Sequence, residues 1–447
     1  MRPRSITGPI ILVLIGVAFL LNNLGTHLGF WPFVGDYWPV LLIVLGVIGL
    51  AEVLFHTSRG STPPPRPMGG AFFWIVIAFV IVIFTSAQRG ANIRIFDGNI
   101  LNGGILGRER NFEVNATEAG AGISRVLLES PRGDITVHGE EAAEIHVTGR
   151  KFIRAYNSSD ADRANEESKI QLDRQGDQLT IRVDPVRRGN SATTVSADLN
   201  IALPRNVSLE MRGRNGDVSV ENITGSVNLS TGRGDLRVSN IGNNVRLEST
   251  RSGQLKVSGV KGNLEINGRG SELQIQDIQG ETNVNGEFSG TLEFRTLAKT
   301  FHFKSQRSDL TAAQVPGSVV LDLGDLRLEN VVGPVRFTTA SRDVRANDVT
   351  NALELNVDRG DIQIEQTKSP VPKIDIRSHH GDITLALPDK AGFELDGHTG
   401  QGDVTNSFGD GIATKSEGRS SSITGRSGTG PKLTVTTDRG SITLRKH

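Results

Sequence analysis

The 447-residue chain contains no cysteine, only three tryptophans and two tyrosines, and its 49 basic residues are matched by 49 acidic ones. Without cysteine there are no disulfide staples, no thiol nucleophile and no cysteine-ligated zinc. Charge balance argues against a broad electrostatic surface for nucleic acid. The shortage of Trp and Tyr removes the flat amphipathic rings that sugar sites favour. Phosphate loops, the Gly-x-Ser-x-Gly elbow and His-Glu-x-x-His are all missing as well. What the chain has in excess is glycine, 52 residues, well above the usual ~7%.

These shortages are unevenly spread. All three Trp lie before residue 88, and so do three apolar runs, at 6–24 ("ITGPIILVLIGVAFLLNNL"), 38–55 ("WPVLLIVLGVIGLAEVLF") and 71–87 ("AFFWIVIAFVIVIFTSA"). Each approaches the ~20 residues that a helix needs to cross the hydrocarbon layer, so three spans are expected. Arg2 and Arg4 precede the first run, Arg59 and Arg66 lie between the second and third, and the loop 25–37 has no Lys or Arg. The positive-inside rule then places the N-terminus and the 56–70 linker in the cytoplasm and everything after residue 88 outside it. Glu52 is the one acidic group within a run; near a helix end it reaches the interface. The first two runs, with "GPIILVLIGVAFLLNNLG" and "WPVLLIVLGVIGL" around a short aromatic loop, resemble the paired-helix membrane module of bacterial envelope-stress proteins of the Lia type.

The exported part is a ladder. Gly followed by a polar residue and an alternating apolar strand recurs as "GDVSVENITG" at 216, "GDLRVSNIGN" at 234, "GQLKVSGVKG" at 253, "GSELQIQDIQG" at 270, "GTLEFRTL" at 290, "SDLTAAQVPG" at 308, "GDLRLENVVG" at 324, "RDVRANDVTN" at 342, "GDIQIEQ" at 360 and "GDITLAL" at 381. A second strand sits between most of these, as in "GSVNLS" at 225 or "GSVVLD" at 317. A fixed period near 20 residues marks a stacked repeat, and apolar alternation within each strand marks one face inside and one wet. Small inward residues and few aromatics fit a narrow solenoid with two strands per rung.

Arg-Gly-Asp, which on many extracellular proteins is a ligand for animal adhesion receptors, occurs three times, at 132–134, 233–235 and 359–361. In the repeat register its slot also holds Asn215-Gly216-Asp217, Ser252-Gly253-Gln254, Arg269-Gly270-Ser271, Leu323-Gly324-Asp325 and His380-Gly381-Asp382. Gly persists while its neighbours drift. The slot is therefore expected to be a strand corner, where Gly takes positive φ and Asp bonds nearby amides.

Between 110 and 215 the pattern loosens: "NSSDADRANEESKIQLDRQ" reads as a short polar helix or flexible insertion among strands. The segment "SADLNIALPRNVSLEMRGRNGDVSVENITGSVNLSTGRGDLRV" and the closing "LTVTTDRGSITLRK" resemble the bacterial putative adhesin family, a domain of unknown function with a β-solenoid-like fold. That resemblance implies no catalytic or binding residue. His379 and His380 with Asp382 are the nearest approach to a metal site, but neighbouring strand residues face opposite ways. Recurrent Gly-Asp lacks the nonapeptide pattern of calcium rolls. Carboxylates such as Asp322 and Asp325 would serve a β-helix polysaccharide enzyme and equally a solvated strand edge.

The expected organisation is an all-β solenoid of ~18-residue, two-strand repeats, parallel β-helix-like, behind a helical membrane anchor. The boundaries are an anchor of three spans at 1–90, a linker and irregular N-terminal β region at 91–215, a repetitive solenoid at 216–390 and a C-terminal β cap at 391–447. The expected role is a non-enzymatic structural, adhesive or interaction scaffold of the bacterial envelope, with an envelope-stress regulator and a polysaccharide-acting enzyme as the alternatives. No catalytic, cofactor or metal residue is assigned. The expected partners are the bilayer, through residues 6–87, and an envelope protein or polysaccharide, but not nucleic acid. The expected place is the inner (cytoplasmic) membrane, with residues 88–447 in the periplasm or at the cell surface.

Overall fold

The computed structural model describes residues 108–155, 157–183 and 193–447. The three apolar runs lie outside them, and among the described residues no helix is long and apolar enough to cross a membrane. The chain divides into two units, Met1–Leu106 and Gly107–His447. All described residues belong to the second, and they are all-β but for one helix, Ser158–Glu167.

The rung Val227–Ile241 shows how sequence becomes architecture. Its burial alternates along the strand, so Val227, Leu229, Leu236 and Val238 point inward and are at most 2% exposed. Its first half pairs in parallel with Ser208–Asn215 below and with 245–251 above; past Gly234 its second half pairs with Val218–Glu221 and 255–260. One rung thus contributes one strand to each of two parallel ladders, and the ladders face each other across a thin core. The next rungs add Leu264–Gly270 with Glu272–Ile278, then Thr282–Phe288 with Leu292–Leu297. Because the register carries Val onto Val or Leu, like positions form columns, as in Leu229, Leu247, Ile266 and Val284. The resulting core is continuous from Ile123 to Leu444, and each buried Leu, Ile or Val contributes about 1.5–3 kcal/mol of burial.

The stack extends beyond residues 216–390 at both ends. Arg125–Arg132 with Ile135–Glu140 stacks directly on Ser208–Asn215 and Val218–Glu221. At this end the stack is covered on one ladder by Gln178–Val183 and Ile170–Gln175, and on the other by the antiparallel run of Thr194–Pro204, Glu144–Ala155 and Arg108–Ala119. The polar segment after Ala155 is a helix, as its Asn-Ser-Ser-Asp start allows: the Asn157 side chain accepts from the Asp160 N–H at 2.8 Å, a standard N-cap. At its other end buried Lys151 donates to the Asn165 and Ser168 carbonyl oxygens, both at 2.9 Å, satisfying acceptors that a helix end leaves open.

At two places the topology departs from the expected register. The units at 308 and 317 are not a forward rung. Phe301–Lys304 turns back at 305–307, and Ser308–Ala312 runs antiparallel to it on the same ladder. The chain then crosses to the second ladder, where Val315–Leu321 is antiparallel both to Leu292–Leu297 and to Asp325–Glu329. Forward parallel stacking resumes from there through Asp343–Asn347 and Ile362–Glu365. Three of the phenylalanines, Phe294, Phe301 and Phe303, cluster at this reversal, with Phe294 and Phe301 rings 4.4 Å apart. Secondly, the closing strands Lys432–Arg439 and Ile442–Lys446 are not outermost. They lie between Lys373–His380 with Ile383–Leu387 on one side and Phe393–Gln401 with Val404–Asn406 on the other. The outer cover on that side is 393–427, where Ser420–Ser427 and Ile412–Glu417 fold back as antiparallel strands.

Candidate functional site: an interrupted corner

The Arg-Gly-Asp slot is a corner, and its three residue types divide the work. Gly133, Gly216, Gly234, Gly360, Gly381, Gly402 and Gly440 all have φ between +118° and +158°. A Cβ on Gly234 would fall inside contact distance of the Gly216 carbonyl oxygen, and one on Gly381 would meet that of Gly360. Side chains are therefore excluded twice, by dihedral and by the rung below. The Asp then ties rung to rung. The Asp217 N–H donates to Asp134 Oδ1 at 2.9 Å, that of Asp235 to Asp217 Oδ1 at 2.8 Å and that of Gln254 to Asp235 Oδ1 at 2.8 Å. The same ladder recurs beyond the reversal, from Asp343 through Asp361 and Asp382 to the Ser441 N–H. The Arg233 side chain is exposed and takes no part, while its carbonyl oxygen accepts the Gly216 N–H at 3.0 Å.

This regularity fails over three successive rungs. Where Asp would stand, just before the first inward Leu of the second strand, there are Gln254, Glu272 and Thr291. The corner after Val245 holds one residue more than that after Val227, with a register shift between Gly234 and Leu236, and Thr282 to Leu292 is likewise longer than Leu264 to Leu273. The stacked glycine moves upstream: Gly268 has φ +145° and a Cβ there would meet the Ser249 carbonyl oxygen. Gly268 and Gly286 stand in line with Ser249, at a position where other rungs bury Thr231, Thr339, Ser378 or Thr437. Two side chains fewer, and the turn 305–307 of the reversed strands rising beside them, leave a groove.

The groove has a volume of about 530 Å³ and is lined by Ser249, Thr250, Gly268, Arg269, Asn285, Gly286, Glu287, Lys304, Ser305 and Gln306. That is within the range of ligand-sized clefts. Its lining is hydroxyls, amides and backbone, with two cations. Glu287 Oε1 is occupied by the Gln306 N–H at 2.6 Å, which fastens the turn to the neighbouring rung. Arg269 and Lys304 are exposed, and neither is in any of the ion pairs among the described residues. The same holds for Arg251 and Arg307, the chain neighbours of the lining residues Thr250 and Gln306.

The residues weighed from sequence are spread elsewhere and used otherwise. His379 Nδ1 lies 3.2 Å from Asp358 Oδ1, His380 Nε2 lies 3.4 Å from Arg439, and Asp382 belongs to the corner ladder. Among the described residues no three His, Asp or Glu converge as metal ligands would. Asp322 Oδ1 accepts the N–H groups of Gly324 and Asp325 at 3.0 and 2.8 Å, and Arg327 reaches both Asp322 and Asp325; the pair shapes a hairpin. Glu52 lies outside the described residues. The groove was not among the sequence candidates, although its signal is there: the loss of Gly-Asp coincides with unequal spacings of 253, 270 and 290.

Residues 272–445 match the family model of the Toastrack DUF4097 domain, and residues 7–106 match that of the LiaF transmembrane domain. Both resemblances read from the sequence, adhesin-like repeats behind a Lia-type membrane module, correspond to these two domains. No curated protein matches the chain. Among solved structures it is similar to a "putative cell adhesion protein" from Clostridium sporogenes, at 10% identity over 76% of this chain and 100% of that one, TM-score 0.18. It is also similar to a "putative adhesin" from Bacteroides fragilis, at 10% identity over 74% and 97%, TM-score 0.19. A third, a "putative lipid binding protein" from Parabacteroides distasonis, has 10% identity over 75% and 96%, TM-score 0.23.

Proposed function

We propose that this protein is a membrane-anchored, extracytoplasmic scaffold of the bacterial envelope whose solenoid holds a partner at the interrupted corner. Three spans within residues 6–87 anchor it, with the N-terminus in the cytoplasm and residues 88–447 outside. The observation that carries this reading is the groove itself. A solenoid repeats its corner because every rung must satisfy the same backbone bonds; three consecutive departures that open a polar cleft are the place where the repeat gives up regularity. The match of residues 7–106 to a transmembrane domain supports the anchor, and the mixed-charge outer positions support a soluble wall facing water. A photo-cross-linking residue at Gln306, in the full chain in its own envelope, is expected to trap a component that one at Asn228, on the exposed flat wall, does not. Identical adducts at both positions, or none at either, contradict the reading.

A second reading, a regulator that signals through its helices, is favoured by the same match to the LiaF transmembrane domain. Residues 88–447 exported by a signal peptide keep the adduct at Gln306 under either reading. Only a scaffold also keeps its effect on the envelope.

A further inference from the structure

We infer that the groove binds an anionic group, phosphate or carboxylate, carried on a hydroxyl-rich envelope polymer; this rests on the scaffold reading above. A regular corner such as "TGRGDL" at 231–236 sets one Arg against one Asp, whose Oδ1 accepts an N–H of the next rung. At the interrupted rungs Arg251, Arg269, Lys304 and Arg307 stand among Glu248, Glu272, Glu287 and Asp309, and none of the four cations is in an ion pair among the described residues. The carboxylates are engaged elsewhere, Glu248 by Arg246, Asp309 by His302, Glu287 by the Gln306 N–H and Glu272 by the Gln254 side-chain amide at 3.1 Å. What sets the groove apart is that two of these cations, Arg269 and Lys304, line a concave surface and not a flat corner.

Arg269 and Lys304 enter the groove from rungs on either side of Asn285 and Gly286. Arg supplies a planar fork that meets a carboxylate or phosphate with two hydrogen bonds, and Lys supplies a point charge. Between them the amides of Asn285 and Gln306 and the hydroxyl of Thr250 match hydroxyls of a polyol or sugar. A lipid is the poorer occupant: the groove offers no apolar slot for acyl chains, and Leu323 is the one large hydrophobic side chain exposed among the described residues. Gly268 and Gly286 let the ligand approach the backbone closely.

The test uses the full chain in phosphatidylcholine nanodiscs, titrated with fluorescently labelled poly(glycerol phosphate), polygalacturonate and neutral dextran. At least one anionic polymer should bind, more weakly as salt is raised, and dextran should not. The exposed double variant Arg269→Gln/Lys304→Gln should lose about tenfold or more in affinity, the effect of removing charge-assisted bonds. Arg269→Lys/Lys304→Arg should largely restore it, and Arg359→Gln, at a regular corner, should leave it unchanged. Equal binding of dextran, an unaffected double variant, an equal loss in Arg359→Gln, or no anionic binding would each overturn the proposal. So would anionic binding only as retention on phosphatidylglycerol nanodiscs, which assigns the surface to lipid. If the polymers fail while Gln306 still cross-links specifically, the ligand class is wrong and the scaffold reading stands; if both fail, both are wrong.

Discussion

At the scale of single residues, the recurrent Arg-Gly-Asp is a construction unit with separable parts. Gly supplies a backbone that no L side chain adopts cheaply, Asp supplies an acceptor for the rung above, and Arg is solvated. Gly234→Val should destabilise the exported unit by about 3 kcal/mol, combining dihedral strain with overpacking against Gly216. Asp235→Ala should cost about 1 kcal/mol, the worth of one hydrogen bond, whereas Asp235→Asn, which keeps an Oδ1 acceptor, should cost almost nothing. Arg233→Ala should change stability by less than about 0.5 kcal/mol. Denaturant melts of the four variants check this ordering; an attachment loss in Arg233→Ala with the fold intact would make the triplet a ligand instead. Asp322 offers a pH counterpart. Burial raises its pKa, but the N–H groups of Asp325 and Gly324 together with Arg327 and Arg342 outweigh this and hold it below its ordinary 3.8. A depressed carboxyl stabilises the fold fully above its unfolded pKa and loses that contribution as pH falls through the folded one. The stability difference between wild type and Asp322→Asn should therefore shrink as melts are taken from pH 6 to below 3.8.

At the scale of elements, the reversed strands read as an insertion. Joining Arg307 directly to Gly324 gives "SQRGDLRLEN", which aligns with "TGRGDLRVSN" at 231–240. In that joined chain Phe301–Lys304 would run forward into Asp325–Glu329, as Val227–Ile241 does across its own corner. Deleting residues 308–323 should thus leave a cooperatively folding β protein one rung shorter, with its circular dichroism spectrum per residue unchanged. Loss of cooperative unfolding would show that the doubled-back strands are integral to the stack. The same elements show what sequence can reveal. Corner glycines are legible because they answer to a backbone demand that recurs at fixed spacing, and the inward Val, Leu and Ile are legible from period two. Direction is not legible. "SDLTA" and "VPGSVVL" alternate as forward strands do, since period two is the same read either way, and only the pairing partners show the turn back. Nor does any local pattern tell that Lys432–Arg439 enters between two earlier strands. The groove was half legible: its missing Asp residues and unequal spacings are in the sequence, but the concavity needs Gly268, Gly286 and the reversed turn brought side by side.

At the scale of the whole molecule, the sequence assigns its apolar residues to two ends. Residues before 88 carry long runs suited to lipid, and the remainder carries alternation suited to a thin core between two wet ladders. That division makes sense only if the two parts meet different solvents. The closing strands, held on both sides, leave no long terminal edge there to recruit another chain. Everything proposed for the groove depends on its facing the envelope and not the cytoplasm. Alkaline phosphatase, active only after export, tests this directly when fused after Gly90 and, separately, after Ser61. The account predicts activity for the Gly90 fusion and none for the Ser61 fusion, because Arg59 and Arg66 hold that loop inside; reversed activities would contradict it.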